Sequence, residues 1–470
     1  MSEQREGAMT QTEARQEPSQ EELQDKLRET AERLGVPGVA IGIFDRGDER
    51  YAFTGVTSVD NPLPVDEETL FQIGSTTKTF TATALMRLQE RGLVDLAAPV
   101  RTYVPELRLQ EEDVARRVTV LQLLNHTAGW EGDFFHETGD GDDALAKYVE
   151  AMATLRQLQP LGGLASYNNA AVGLAGRVVE KVTGQTYEAA ARELVLDPLG
   201  LEHSFFFPAE VMTRRFAVGH IEGEDGPRVA APWRLPRSST AAGALVSTAA
   251  DQIRYARFHL GRGEAHDGEI LRPQTRLAMQ QPTGDFHGSA IADRVGVSWL
   301  LRRVGGVALV GHGGTTNGQL SAFQMVPDLD FAVTILTNAT AGGRLHRELL
   351  AWVLEHYLGV REPAFALLEL SEADLAAYAG TYRSDTVVAT VTIETPGLRV
   401  ATEPTEAARE RYKVLLAEVP HDPPFPIRLL VDDGFVITDG KGEGVRGSFL
   451  RADGNGVTGI NLGGRVALRV

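Results

Sequence analysis

Ser75 and Lys78 are the two residues whose types and spacing best suit nucleophilic chemistry. They stand three positions apart in FQIGSTTKTF, and no other serine of the chain has a lysine three positions after it. Residues three apart on a helix share a face, so a helix that begins near Ser75 would place the amine beside the hydroxyl. Lysine, unlike arginine, can lose its proton when desolvated, and a neighbouring amine can activate a serine. The alternative is a serine that caps a helix, followed by an exposed lysine.

A second group of polar residues lies in ASYNNAA, residues 165–171, where a turn enters a helix. A tyrosine phenol held between cations, here Tyr167, can act as a general base. The amide of Asn169 can hold both a lysine amine and a substrate carbonyl. The alternative is that Asn168 or Asn169 only caps the helix.

A third feature is VGHGGTTNG, residues 310–318, between two apolar runs typical of strands. Glycines weaken a strand unless another backbone must approach it closely. A substrate that pairs with the strand edge would be such a backbone. The alternative is a glycine-rich hairpin turn with His312 exposed.

The three motifs together, S-x-x-K, Y-x-N and H-x-G, resemble those of the serine β-lactamase and penicillin-binding-protein family. The resemblance is to the branch that contains class C β-lactamases, D-aminopeptidases, DD-peptidases and related esterases. The segments LQLLNHTAGW and GALVSTAADQIRYARFHL are also similar to that branch, and the resemblance spans about residues 20–360.

The resemblance implies a role for each matched position. Ser75 is then the nucleophile that accepts the acyl group, Lys78 and Tyr167 share the acid and base work, and Asn169 orients the substrate. The N–H groups of Ser75 and Thr315 form the oxyanion hole. His312 and Gly314 contact the substrate on the third motif, and no metal or cofactor is needed.

His312 departs from the lysine that many members of the family carry in K-T-G at this position. A histidine is mostly neutral near pH 7, and only its protonated form reads a carboxylate well. The sequence therefore favours a peptidase or esterase over an efficient β-lactamase. An inert binding or filament-forming protein is the alternative outside the enzymes, but Ser75, Lys78 and Tyr167 are all retained.

The elements around these motifs predict an α/β (α+β) chain with two domains. A tail (1–18) precedes a serine hydrolase domain (19–360), in which strands from both ends form one sheet and a helical lobe is inserted. The resemblance implies that this sheet is antiparallel and flanked by helices. A linker (361–375) leads to short alternating segments that predict an all-β barrel (376–470), similar to the lipocalin-like barrel of some peptidase-like relatives. We expect the barrel to lie near the cleft and restrict substrate size, or else to serve stability or dimerisation.

Composition restricts the partners. The formal net charge of −18 argues against nucleic acid and against an anionic membrane surface. Cysteine is absent, which excludes disulfides and zinc–thiolate sites. The polar N-terminus has no secretory pattern, so the sequence predicts a cytoplasmic protein without a membrane span. The expected partner is a small molecule or a short peptide or ester; the acyl donor, its stereochemistry and a homo-oligomeric state stay open.

A metal site was also considered for a set of acidic and histidine residues. Their spacing matches neither H-E-x-x-H nor an EF-hand, so a solvated loop is the favoured interpretation. The set comprises His126, His136, Glu137, Asp140, Asp142 and Asp143.

Overall fold

The computed structural model describes residues 17–264, 267–413, 423–452 and 455–470. Most of the predicted N-terminal tail therefore lies outside the described residues. No helix in these described ranges is both long and apolar enough to cross a membrane.

The first domain is organised around one eight-stranded antiparallel sheet in the order β2-β1-β12-β11-β10-β9-β8-β7. The first two strands come from the start of the domain and the others from its end, as the sequence predicts. Two short strand pairs, β3 with β6 and β4 with β5, lie outside it. The strands are β1 Gly38–Asp45, β2 Asp48–Gly55, β3 Phe71–Gln72, β4 His220–Gly223, β5 Gly226–Val229, β6 Val246–Ser247, β7 Gly284–Asp285, β8 Arg294–Val295, β9 Leu300–Val304, β10 Val307–Thr315, β11 Leu320–Val326 and β12 Phe331–Thr337.

Helices cover both faces of the sheet and build the inserted lobe. Helices α1 and α13 pack on one face through Leu27 and Leu349, and α10 packs on the other through Ile253. The helices are α1 Gln20–Leu34, α2 Thr77–Glu90, α3 Glu112–Arg117, α4 Val120–Leu124, α5 Ala144–Ala151, α6 Asn169–Thr183, α7 Tyr187–Ala191, α8 Pro208–Val211, α9 Thr240–Gly243, α10 Ala249–Leu260, α11 Asp267–Ile270, α12 Pro273–Met279, α13 Gly342–Leu358, α14 Glu372–Leu375 and α15 Glu406–Tyr412.

Local sequence signals explain where most of the long helices begin and end. Ser19 caps α1 and forms a capping box with Glu22, and Gly35 ends that helix in a left-handed conformation. Asn168 caps α6.

The apolar spacing of VTVLQLLNHTAG, residues 118–129, with its closing glycine predicts a helix over this whole segment. The helix is shorter, because α4 ends at Leu124. The side-chain oxygen of Asn125 accepts hydrogen bonds from the backbone N–H and the hydroxyl of Thr127, at 3.3 and 2.7 Å. His126 then adopts a positive φ of 61°. An asparagine side chain that competes for backbone donors favours such a turn over a further helical turn.

The C-terminal segments close into a barrel of eight antiparallel strands, β13 to β20 in sequence order, which confirms the predicted all-β architecture. Its core contains Tyr382, Val400 and Phe449. The strands are β13 Gly380–Arg383, β14 Val387–Glu394, β15 Gly397–Pro404, β16 Phe425–Leu429, β17 Gly434–Ile437, β18 Arg446–Ala452, β19 Asn455–Leu462 and β20 Arg465–Arg469.

The barrel docks directly against the first domain through the hairpin of β19 and β20. Leu462 pairs with Arg465, so Gly463 and Gly464 form a two-residue turn, and both have positive φ, as a type I′ turn requires. The carbonyl of Gly464 accepts a hydrogen bond from the backbone N–H of Tyr167 at 2.8 Å. The hairpin tip therefore reaches the Y-x-N motif.

Candidate active site

Ser75 lies in a single 3₁₀ turn, Gly74–Thr76, that leads directly into α2. The preceding Gly74 has a φ of 53°, and a Cβ there would lie 2.6 Å from the backbone nitrogen of Thr315. Only glycine allows this close approach in a left-handed conformation. The serine turn is thereby held against the end of β10, with the Ser75 and Thr315 backbones side by side.

Lys78 occupies the first turn of α2, with its amine beside the serine as the i, i+3 spacing predicts. Its Nζ lies 2.9 Å from Ser75 Oγ and donates to the carbonyl of Ala242 at 2.6 Å. The side chain is fully buried and forms no ion pair within 4 Å among the described residues. Burial, helped by the charge of Arg465, lowers the pKa of Lys78 well below its usual value. The site therefore favours a neutral amine, whose lone pair can accept the Ser75 proton.

Tyr167 covers the Ser75–Lys78 pair from the inserted lobe. Its ring centroid lies 5.0 Å from Lys78 Nζ and 4.8 Å from the guanidinium carbon of Arg465, and His126 packs on it at 4.6 Å between ring centroids. Burial raises the pKa of the Tyr167 phenol, although its hydrogen bond with Ser75 opposes that shift. The phenol is therefore held in its protonated form near neutral pH, ready to donate.

Asn169 begins α6 and lines the cleft, and its side chain is fixed by Asp133. Its Nδ2 donates to Asp133 Oδ1 at 2.7 Å. Arg465 from the barrel donates to both oxygens of the same carboxylate, at 2.8 and 3.1 Å. Burial alone would raise the pKa of Asp133, but the Arg465 charge and these hydrogen bonds lower it. The ionised carboxylate therefore links the two domains at the cleft.

Residues 310–315 of the third feature, with the H-x-G motif, lie on strand β10, and only residues 316–318 belong to the hairpin connection to β11. Pairing of β10 with β9 ends at Gly311, whereas pairing with β11 continues to Thr315. The edge from Gly313 onward therefore borders the cleft. A Cβ on Gly314 would lie 1.9 Å from the carbonyl oxygen of Ile73, so the close contact with the serine turn requires glycine at this position.

His312 is 1% exposed and lies on the same strand. Its Nδ1 donates to the carbonyl of Gly313 at 2.6 Å, and its buried Nε2 has no partner among the described residues. Burial, with the nearby Lys78, lowers the pKa of His312 to about 3. The protonated imidazole that reading a carboxylate would require is therefore not favoured, and Nε2 is left as an acceptor.

These residues surround a cleft of about 520 Å³. It is bounded by the sheet edge, the inserted lobe and the barrel. The lining residues are Ser75, Asp133, Phe134, Phe135, Tyr148, Tyr167, Asn169, Leu235, Ser238, Ser239, Ala242, Gly243, Ala290, Ile291, Leu300, Arg302, His312, Gly313, Gly314, Thr315, Thr316, Asn317, Leu320, Ser321, Gln324, Tyr412 and Arg465.

The structure brings the predicted site residues together at the cleft. It adds three residues that the sequence did not indicate: Asp133, Arg465 and Tyr412. Asp133 belongs to none of the three motifs. Arg465 and Tyr412 belong to the barrel, and only the docking of the two domains brings them to the cleft. The Gly463–Gly464 pair signals a hairpin turn, but it does not signal what the tip contacts.

Comparison with known proteins agrees with this geometry. Residues 23–358 match the family described as Beta-lactamase. Penicillin-binding protein 4 from Amycolatopsis lactamdurans is 37% identical over 358 residues, which are 74% of this chain and 94% of that protein.

Two solved structures extend the comparison. The crystal structure of SurE has a TM-score of 0.73 and 26% identity, covering 96% of this chain and 99% of SurE, and SurE has also been solved with D-Leu. The D-amino acid amidase from Ochrobactrum anthropi SV3 has a TM-score of 0.57 and 27% identity, covering 67% of this chain and 90% of the amidase.

Proposed function

Because the chain belongs to the β-lactamase family, which with its relatives supports a serine hydrolase activity, we propose that it cleaves an amide or ester bond through an acyl-enzyme on Ser75. The reaction is that of a peptidase or esterase. One observation carries the proposal: a buried lysine amine with a lowered pKa lies 2.9 Å from the serine hydroxyl. An inert member of the family would have no need to maintain that contact.

The first step is attack by Ser75. Lys78 Nζ takes the proton from Oγ as the bond from Oγ to the substrate carbonyl carbon forms. The hydrogen bond from Nζ to the Ala242 carbonyl fixes the direction of the amine lone pair. The backbone N–H groups of Ser75 and Thr315 stabilise the oxyanion that develops on the carbonyl oxygen.

The second step is departure of the leaving group. The phenol of Tyr167 donates its proton to the leaving nitrogen or oxygen as that bond breaks, and Lys78 returns the proton to the phenolate. The result is an ester on Ser75. Water then attacks this ester with the proton transfers reversed, and the acid and free Ser75 are released.

The substrate class follows from the cleft and from the relatives. Aromatic side chains and polar backbone groups line the cleft together, which suits a short peptide or a small amide or ester. The named relatives include a D-amino acid amidase and a protein crystallised with D-Leu. We therefore propose that the acyl donor carries a D-configured residue.

A hydrolysis panel with active-site labelling tests the proposal. Ser75 should react with a fluorophosphonate probe, and p-nitrophenyl esters or aminoacyl p-nitroanilides should be turned over, D before L. Ser75→Ala should abolish both readouts while losing only about 1 kcal/mol of stability, the net contribution of the hydrogen bond between Lys78 Nζ and the Ser75 hydroxyl. Nitrocefin in the same panel tests the β-lactamase alternative. A folded wild-type protein that neither labels nor turns over any substrate would favour the inert binding protein.

A further inference from the structure

A second cavity of about 240 Å³ lies beside the cleft, between β9–β11, helix α13 and the barrel. Most of its side chains are aliphatic, which suits an apolar ligand. The lining residues are Ala290, Ile291, Leu300, Arg302, Val304, Leu309, Gln324, Arg347, Leu350, Ala351, Leu354, Val360, Glu362, Gly444, Val445 and Arg446.

The second cavity adjoins the cleft. Five residues line both spaces: Ala290, Ile291, Leu300, Arg302 and Gln324. A chain that extends from the reacting centre along these residues would reach the second cavity.

Strand β10 contributes small residues to the boundary between the two spaces. Side chains alternate along a strand, so Leu309, Gly311 and Gly313 share one face, and Leu309 lines the second cavity. A Cβ on Gly313 would meet only the Ser321 carbonyl, at 3.4 Å. The side chain of Gln324 fills the space over Gly311, where a Cβ would lie 2.3 Å from its Oε1. At this strand the flexible Gln324 side chain therefore separates the two spaces, and no bulky apolar side chain of β10 does so.

The junction between the two spaces is polar and the far part is apolar. Arg302 Nη2 donates to the carbonyls of Ser289 and Ala290 at 2.7 and 2.8 Å, which fixes the guanidinium at the junction. With Gln324 it offers polar contacts to the part of a substrate near the reacting carbonyl. Beyond it, Leu350 and Leu354 of α13 offer aliphatic surface.

The barrel closes the far wall. Gly444 to Arg446 line the second cavity, and Arg446 donates to Asp293 of the hydrolase domain at 3.0 Å. This contact keeps the barrel on the cavity, so the enclosed volume depends on both domains.

We infer that the second cavity is a distal subsite for an aliphatic chain of the substrate. This inference rests on the proposed function, because it assigns the far end of a substrate whose reacting carbonyl lies at Ser75. Removal of apolar surface from water provides the binding free energy. The distal subsite predicts a preference for substrates that carry a flexible aliphatic group several bonds from the scissile bond.

The test compares two series of substrates in the full-length protein. The p-nitrophenyl alkanoates from acetate to decanoate extend the acyl side, and alkyl esters of one short acid extend the leaving-group side. In the series whose alkyl chain enters the second cavity, kcat/KM should rise by up to about fourfold for each added methylene, the effect of burying a methylene fully. Ala351→Trp and Val445→Trp fill the cavity from opposite walls and should flatten that rise with acetate turnover unchanged.

Arg344→Trp is the matched control, since Arg344 is an exposed residue of α13 that does not line the cavity. It should keep the full dependence on chain length. Two results would overturn the subsite but not the proposed function. In the first, acetate is turned over but kcat/KM does not change with chain length in either wild-type series. In the second, the rise of kcat/KM with chain length survives both filling variants. If no ester is turned over, calorimetric binding of decanoate decides: binding lost in Ala351→Trp and kept in Arg344→Trp supports the subsite, and any other result overturns it.

Discussion

At the scale of single residues, the contact between Lys78 and Ser75 follows from spacing alone. Two residues three apart at the start of a helix meet whatever the rest of the fold does, which is why the sequence predicted this contact. The burial that lowers the Lys78 pKa depends instead on the packing of α2 against residues such as Ala242. The chemistry of the amine therefore needed the structure.

Lys78→Arg should lose nearly as much activity as Lys78→Ala, in the range of 10²- to 10⁴-fold in kcat/KM. Arginine keeps the charge but does not give up its proton near neutral pH. Initial rates with one p-nitrophenyl ester measure the effect, and thermal unfolding separates it from misfolding of the overpacked site. Near wild-type activity in a folded Lys78→Arg would exclude proton transfer at this position.

His312 should not titrate in the physiological range, because burial holds its pKa at about 3. An imidazolium that read a carboxylate would bind it less well as pH rises through 6.5. We expect instead that KM changes in parallel between pH 5.5 and 8 for an acyl donor with a free carboxylate and for its methyl ester. A rise in KM near pH 6.5 confined to the free carboxylate would show that His312 is protonated in the complex.

At the scale of elements, the turn of the β19–β20 hairpin packs closely against Ile291 of the other domain. A Cβ on Gly464 would lie 2.4 Å from Ile291 Cδ1, whereas one on Gly463 would meet nothing within 4 Å. Both residues have positive φ, 80° and 57°. Alanine at either position therefore carries a similar backbone cost, of about 1 kcal/mol. A difference between the two alanine variants then reports the contact of residue 464 with Ile291.

Gly464→Ala should lower kcat/KM more than Gly463→Ala. The added methyl displaces the tip whose carbonyl accepts from the N–H of Tyr167 at 2.8 Å. Thermal unfolding and ester hydrolysis of the two variants measure the difference. Equal activities would indicate that Ile291 moves aside and that the tip position is not critical.

Elements with their own end signals were the most predictable part of the fold. Helices α1 and α6 carry a polar N-cap and a glycine at the C-terminus, and these signals are readable in the sequence. The helix over 118–129 was overestimated, because Asn125 competes for backbone donors. The place where the barrel meets the lobe has no such signal, since it depends on register and docking.

At the scale of the whole molecule, the domains are joined by a buried charge. Asp133 has a side chain only 3% exposed, and Arg465 contacts it from the barrel. Arg465→Ala should cost about 3 kcal/mol or more, because it leaves a buried carboxylate without its partner. The double variant Asp133→Asn with Arg465→Ala should regain part of that loss. Urea unfolding of both single variants and the double variant measures the coupling, and additive losses would contradict it.

Stability should fall as pH drops below about 6.5. Burial lowers the pKa of His259, His312 and His346 to about 3, whereas the unfolded chain binds protons on histidine near 6.5. The unfolded state thus holds more protons between these values, and unfolding becomes easier as pH falls through that window. Each histidine contributes about 2 kcal/mol between pH 7 and 5.

Urea unfolding at pH 7 and pH 5 tests this, with two variants on helix α13. His346→Gln removes a buried histidine and should reduce the pH difference, whereas His356→Gln changes an exposed one and should not. The same pH difference in both variants would exclude buried neutral histidines as its cause.

The contact between Asp133 and Arg465 joins positions 332 residues apart. Contacts of such long sequence separation form late, because their loop-closure entropy is lost before they contribute stability. The helices of the inserted lobe, which pack on helices close to them in sequence, can therefore form before the cleft is complete. In refolding experiments, secondary structure should recover ahead of enzymatic turnover, and the delay between the two reports when the second domain docks.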